Sequence, residues 1–502
     1  NHQTTKPSVG IIGGGTNGFL VLNDLKNEQV DLTCFEFQSG PGGLWRYSDL
    51  STENKDFQET NYFKYNEATP WKVHYHLDTI SVKDVITYPG KQPTKKTEKH
   101  NYFTNHEFLE YFQEWVEENN LSQFVKYNHF VKRVVLSKNL LEEEKQRIRD
   151  NISSGSSKGD TVDFKKKFLV AVHRGQKEVT KLDYYSFDYV VIANGKNNKL
   201  NEPFLEGKEN FKGHQVHSGN FKKPTEEHFG GKTVMIVGLY ISGSDLMEKF
   251  LVDERNFGGK LKPKKIILCG DYDGFVNYKT SPELKPFIDS GFIELKRRLK
   301  GFKGDYTAVF ADDSETEVDT VLYCTGYKFN IEYMDPKDGL LEEKCGGRYV
   351  SPLYLNTFCI NDPDLMSIGF WDNPDSHGCF YKQSKVIKFY VLGKAKVPSK
   401  EEMSKWLSDV EDSFAKAGIP QRLVSVLNPL VPLYKFAWEP LYKMIEGLME
   451  RDTVRDKMAS EYSDYIMELF PSGKLLKVRS LEKKEYGLTD NETHIVPDKE
   501  KF

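Results

Sequence analysis

The 502-residue sequence predicts an α/β protein built from two nested Rossmann-like dinucleotide-binding domains, one inserted into the other, with helical C-terminal segments. Three observations predict it. A short apolar run, Val9 to Ile12, leads directly into Gly13-Gly14-Gly15-Thr16-Asn17-Gly18 and a helix-like stretch from Phe19 to Asn27. Strand, glycine turn, helix is the order a nucleotide fold requires. The same order returns at Thr233 to Val237, at the turn beginning with Gly238, and at Ser242 to Leu251. Each unit is followed by a further strand, Leu32 to Phe37 and Lys265 to Cys269, at the spacing of a βαβ unit. The expected division is 1–225 for the first part of the larger domain, 226–330 for the inserted one, and 331–502 for the return and the helical region.

The intervening elements follow from local pattern. Thr104, Asn105 and Glu107 form a capping-box-like start to a helix over Thr104 to Asn120, whose Phe108, Tyr111, Phe112 and Trp115 recur at helical spacing and read as core. Asp150 to Asp160, rich in Ser and Gly, reads as an exposed loop. Tyr189 to Ala193 is a strand. Past Asp319 to Tyr327 the chain reads as less regular, then as lysine-rich helices from Lys400 to Met458 and a polar tail.

Composition narrows the function. Lys plus Arg (70) nearly balance Asp plus Glu (74), so no net field selects nucleic acid as a partner. The longest apolar stretch, Leu423 to Trp438, is broken by Asn428, Pro429, Pro432 and Lys435, and no transmembrane segment is expected. The chain opens on Asn1 and soon enters a strand-like run, from which we expect a soluble, cytoplasmic protein. Cys34, Cys269, Cys324, Cys345, Cys359 and Cys379 include no CxxC pair and no metal-like spacing. That counts against a disulfide reductase, which needs a close redox-active cysteine pair, and predicts no metal site.

In the first glycine turn, Gly13 permits the tight turn, Gly15 lets backbone approach a pyrophosphate, and Gly18 lets helix pack on strand. Glu36 stands at the end of the next strand, placed to accept hydrogen bonds from a ribose diol. The bland alternative is a purely structural glycine turn. The continuation Gly40-Pro41-Gly42-Gly43-Leu44-Trp45 sharpens the first reading, because an acidic strand end followed by Gly42, Gly43, Leu44 and Trp45 resembles the flavin-containing monooxygenases, where this pattern lies along FAD.

Further on, Phe211, Gly213, His217 and Phe221 match the fingerprint FxGxxxHxxx(Y/F) of that family, just before the second unit. Ile192-Ala193-Asn194-Gly195 and Tyr323-Cys324-Thr325-Gly326-Tyr327 are similar to the family's domain-closing strand ends. His217 reads better as a linker residue than as an acid or base, since no orienting partner is evident. The resemblance implies a FAD enzyme reduced by NADPH that passes one oxygen atom of O2 to a soft nitrogen or sulfur nucleophile, a small-molecule substrate.

Three sites depart from the family pattern. In Gly238-Leu239-Tyr240-Ile241-Ser242-Gly243, the residues Gly238, Ser242 and Gly243 are retained, but Tyr240 stands where backbone should approach the NADPH pyrophosphate. Asp271 and Asp273 replace the arginines that clamp the 2′-phosphate, which disfavours NADPH and makes NADH a candidate. Ile80 occupies the position of an Asn that stabilises the oxygenated flavin, leaving the catalytic residue unassigned. Two rivals follow: a FAD-binding pseudoenzyme acting through protein partners in a larger assembly, and an NADH-using flavoenzyme or oxidase.

Overall fold

The computed structural model describes residues 6–50, 52–83, 86–92, 102–155, 162–177, 181–270, 284–371, 376–424 and 440–449. In chain order the elements that build the site are β1 (Ser8–Ile12), α1 (Thr16–Leu25), β2 (Asp31–Glu36), β3 (Asp78–Val82), β4 (Tyr102–Thr104), α2 (Asn105–Glu118), β5 (Val125–Tyr127) and β6 (Tyr189–Ile192). They continue with β7 (His214–His217), β8 (Thr233–Val237), α3 (Ile241–Val252), β9 (Lys265–Cys269), β10 (Ile293–Lys296), β11 (Thr320–Tyr323), β12 (Leu365–Ser367) and α4 (Ser376–Val391).

Two sheets with parallel cores organise the molecule. The first runs Leu353–Tyr354, Phe358–Cys359, β12, β6, β1, β2, β5, with β12 to β5 all parallel. The second runs β7, β11, β8, β9, β10 and is parallel throughout. Strands buried on both faces are nearly continuous in apolar residues, and β1 is buried along its whole length. An antiparallel sheet of His129–Leu136, Phe168–Arg174 and Asp183–Phe187 accompanies the first sheet. The fold is α/β with two dinucleotide-type sheets, as the sequence predicts.

Several local readings are reproduced. β9 has the bounds read from the sequence, and α1 and α3 begin one turn or less from the expected start. At α2 the Thr104 hydroxyl accepts the Glu107 N–H while the Glu107 carboxylate accepts the Thr104 N–H, the reciprocal cap expected there. Phe108, Tyr111, Phe112 and Trp115 are buried in the core shared with α1.

Two readings are corrected. The stretch beginning at Asp150 is not loop from its start: a helix spans Glu142–Ser153. Glu142, Glu143 and Glu144 fill its first turn, where negative charge is favourable, and Glu144 caps the Leu141 N–H. The region after Tyr327 is also more ordered than read, since it supplies β12 and α4. The period of α4 is concealed because Lys382, Gln383 and Ser384 are themselves buried. Asp24 of α1 accepts a hydrogen bond from Ser384 (2.7 Å) and pairs with Lys385, and Gln383 donates to Asn356 O and Thr357 Oγ1. Of the helices expected over Lys400 to Met458, one spans Lys400–Lys416, and 450–502 lie outside the described residues.

Candidate functional site

At the carboxyl end of the first sheet, β1 delivers the chain into its glycine turn. Gly13 has φ +106°, and a Cβ there would lie 2.6 Å from Ala193 O. A Cβ on Gly18 would lie 2.1 Å from Gly13 O. Both glycines are therefore demanded by the protein itself. Gly15 is different. It caps α1 with ordinary extended angles (φ −83°, ψ −173°), and its nearest neighbour for a Cβ is Gly43 Cα at 3.7 Å. Nothing in the chain forbids a side chain at Gly15; the space before it is open.

That space is a cleft, part of it open to solvent. Gly13, Gly15, Thr16 and Asn17 line one wall, and Gly42, Gly43, Leu44 and Trp45 another. A Cβ on Gly43 (φ +54°) would come within 2.9 Å of Gly15 Cα, so the two turns approach backbone to backbone. Trp45 rests on Phe108 with ring centroids 4.5 Å apart, which ties this wall to α2.

Glu36 closes the adjoining end. Its carboxylate accepts the N–H of Gly14 and of Gln38, both at 2.7 Å. Burial raises its pKa, and those two backbone donors oppose the rise. Glu36 also lines the cleft. Gln38 extends the network, donating to Gly43 O (2.9 Å) and accepting from Trp71 Nε1 (2.9 Å). Beyond Glu36 the wall turns aromatic, with Phe35, His129 and Phe130. His129 Nδ1 lies 2.7 Å from Tyr127 O, and burial lowers its pKa.

Three polar atoms of cleft-lining residues, Tyr65 OH, Asn194 Oδ1 and Tyr333 OH, are buried without a hydrogen-bond partner. Buried polar atoms of native proteins are nearly always satisfied, so these groups have hydrogen-bonding capacity to spare at the cleft. Gln38 and Tyr333 escaped the sequence reading. Neither belongs to a local motif; each reaches the cleft only through tertiary packing.

The second unit repeats this geometry with one difference. Gly238 has φ +95° and a Cβ there would lie 2.5 Å from Cys324 O; a Cβ on Gly243 would lie 1.9 Å from Gly238 O. The Gly13 N–H donates to Phe35 O at 2.9 Å, and the Gly238 N–H to Cys269 O at 3.0 Å. At the cap of α3, where α1 has Gly15, stands Tyr240, with φ −89° and ψ −151°. The position matching Glu36 is Gly270, directly after β9. Ser242 lies in the first turn of α3. Asp271 and Asp273 lie outside the described residues, and Ile80 lies in β3 with its side chain outside them.

The fingerprint residues pack against the second sheet. Phe211 and Phe221 are buried, and a Cβ on Gly213 would strike the Phe211 ring at 2.4 Å. His217 is 2% exposed. Its Nδ1 accepts the Gly219 N–H (3.1 Å), which leaves Nε2 to donate to Gly326 O (3.0 Å). Burial lowers its pKa to about 4. Both ring nitrogens are committed, so His217 is a neutral tie between β7 and the turn after β11, two adjacent strands of the second sheet. Among the described residues no group of three or more His, Cys, Asp or Glu could hold a metal, and no helix is long and apolar enough to cross a membrane.

Residues 6–253 match the family model described as flavin-binding monooxygenase-like. The chain is 24% identical over 424 residues to flavin-containing monooxygenase FMO GS-OX5 of Arabidopsis thaliana, covering 83% of this chain and 80% of that one. It is 25% identical over 423 residues to senecionine N-oxygenase of Tyria jacobaeae, covering 82% and 77%. The structure of S-allyl-L-cysteine S-oxygenase from Allium sativum superposes with a TM-score of 0.69 at 20% identity, over 94% of this chain and 97% of that one.

Proposed function

We propose, on the premise that residues 6–253 place the chain in the flavin-binding monooxygenase-like family, that it holds FAD in the first cleft and oxygenates a soft nitrogen or sulfur nucleophile with NADPH and O2. The observation that carries the reading is Gly15: an unhindered backbone at a helix N-terminus, facing a cleft that the glycine turns at Gly13 and Gly42 both line. The unpaired N–H groups and dipole at that terminus suit a pyrophosphate. Glu36 would bind the adenosine ribose, and the aromatic wall of Phe35, His129 and Phe130 would flank the adenine. Gly42, Gly43, Leu44 and Trp45 would lie along the rest of the cofactor, and Asn194 Oδ1 and Tyr333 OH would find partners on it.

FAD, when bound, supplies hydride acceptance and oxygen transfer. The protein's part is to bind and orient it and to exclude water. The N-oxygenase among the relatives supports a small-molecule nucleophile as substrate.

The test is to incubate the purified flavoprotein with NADPH, isotope-labelled O2, a tertiary amine and a thioether. The reading predicts an N-oxide or a sulfoxide carrying the label. NADPH consumption without labelled product would overturn it. Tyr240 favours a second reading, a flavoprotein that has lost turnover and works through protein partners. Flavin that neither NADPH nor NADH reduces would mark that case, whereas rapid reduction by NADH alone would mark an altered cofactor choice.

A further inference from the structure

The second unit is fastened to the first domain by one face of α3. Asp245 and Lys249 lie four residues apart on that face, at neighbouring turns, and both are more than nine-tenths buried. They meet two residues of the first domain that are also four apart. His74 Nε2 lies 2.7 Å from Asp245 Oδ2, and Lys249 Nζ lies 2.6 Å from Asp78 Oδ2. His74 belongs to the segment entering β3, and Asp78 opens that strand.

From β3 the contacts run on to the cleft. The Thr79 hydroxyl accepts the Phe103 N–H at 3.1 Å, Phe103 packs on Phe108 at 5.8 Å, and Phe108 packs on the cleft residue Trp45. The two sheets are also joined through the segments Lys199–Leu200 and Tyr327–Lys328, which pair with each other. Such paired crossing segments by themselves permit hinge rotation of one sheet unit against the other. The contacts at His74 and Asp78 hold α3 at two points one helical turn apart, beside the Tyr75 N–H that donates to Lys222 O at 2.9 Å.

We propose that His74, Asp78, Asp245 and Lys249 form a strut that positions the second unit, so that a reductant held at the N-terminal turn of α3 faces the cofactor cleft. They are positioning residues: none touches the cleft, and each acts by holding α3 against β3. The inference rests on the reading that a nicotinamide dinucleotide at the second glycine turn reduces flavin in the first cleft. A hydrogen bond at His74 and an ion pair at Lys249 suit this task better than apolar packing, because two directional contacts fix register as well as distance.

The test compares the holoenzyme with Asp245→Asn, Lys249→Met, Lys249→Asp and the charge exchange Asp78→Lys with Lys249→Asp. Anaerobic flavin reduction at saturating NADPH should slow about 10- to 100-fold in the three single variants, as displacement of a donor by an ångström does. Affinity for NADP+, FAD content and reduction by dithionite should stay unchanged, a split that general destabilisation does not produce. The exchanged pair should recover most of the lost rate relative to Lys249→Asp alone. Rates within about twofold of wild type, joint loss of FAD content and rate, or an exchange no better than Lys249→Asp would each overturn the strut.

If the wild-type flavin is reduced by neither NADPH nor NADH, the functional reading fails. Hydrogen exchange of the β3 amides then decides the strut. Faster exchange in Asp245→Asn and Lys249→Met sustains it, and unchanged exchange overturns it.

Discussion

Gly15→Ala separates a glycine required by a ligand from one required by the fold. The backbone angles at Gly15 are open to every residue, and an added methyl meets only Gly43 Cα at 3.7 Å, an ordinary contact. Losing glycine's freedom in the unfolded chain stabilises by about 0.4–1 kcal/mol, while replacing glycine by alanine at a helix cap costs roughly as much. The apoprotein should therefore keep its stability to within about 1 kcal/mol. FAD should not bind as before. A methyl there keeps the pyrophosphate off the N–H groups of α1, and charge-assisted hydrogen bonds contribute about 1.5–3 kcal/mol each. Loss of one corresponds to about 10- to 100-fold weaker binding. Gly18→Ala is the contrasting control, since its Cβ would sit 2.1 Å from Gly13 O and must disrupt the turn in the apoprotein itself. Denaturant midpoints of apoprotein, with titration of FAD by fluorescence quenching, give both quantities. FAD affinity in Gly15→Ala equal to wild type, or an apoprotein destabilised like Gly18→Ala, would refute the reasoning.

Three further outcomes follow from the same geometry. Tyr240→Gly restores at α3 the open cap that α1 has, and NADP+ should bind about 10-fold or more tightly by calorimetry; unchanged affinity means the phenol already stands clear. Glu36→Ala leaves the Gly14 and Gln38 N–H groups unpaired. It should cost about 1–3 kcal/mol per buried group in chemical denaturation and reduce the flavin retained on purification. His217 is held neutral, its pKa shifted from 6.5 to about 4. Its contribution is full above pH 6.5 and is lost as pH falls toward about 4, up to roughly 3 kcal/mol. His217→Gln should flatten stability across that window, and an unchanged pH slope would contradict the assignment.

The parts of the fold legible in the sequence are those where one residue type has one physical reason. The tight turns at Gly13 and Gly238 need positive φ, and the close packing at Gly18 and Gly243 needs the missing Cβ. The Thr104–Glu107 cap is likewise a local hydrogen-bond exchange. What stayed hidden depends on contacts distant in sequence. α4 buries Lys382, Gln383 and Ser384 because Asp24, Asn356 and Thr357 wait for them or their neighbours, and no periodicity records that. Gln38 and Tyr333 reach the cleft for the same reason. The strut from His74 and Asp78 to α3 joins residues about 170 positions apart, 171 in each contact. Tyr240 is an intermediate case: its position in the turn is legible, and the matching geometry of Gly15 shows what it displaces.

The most direct test of the central claim is the visible spectrum of the purified protein, followed through anaerobic addition of NADPH. The account predicts a bound-flavin band that bleaches with NADPH and returns on admission of O2. A protein that binds no flavin, or a flavin band that persists with both NADPH and NADH, would contradict it.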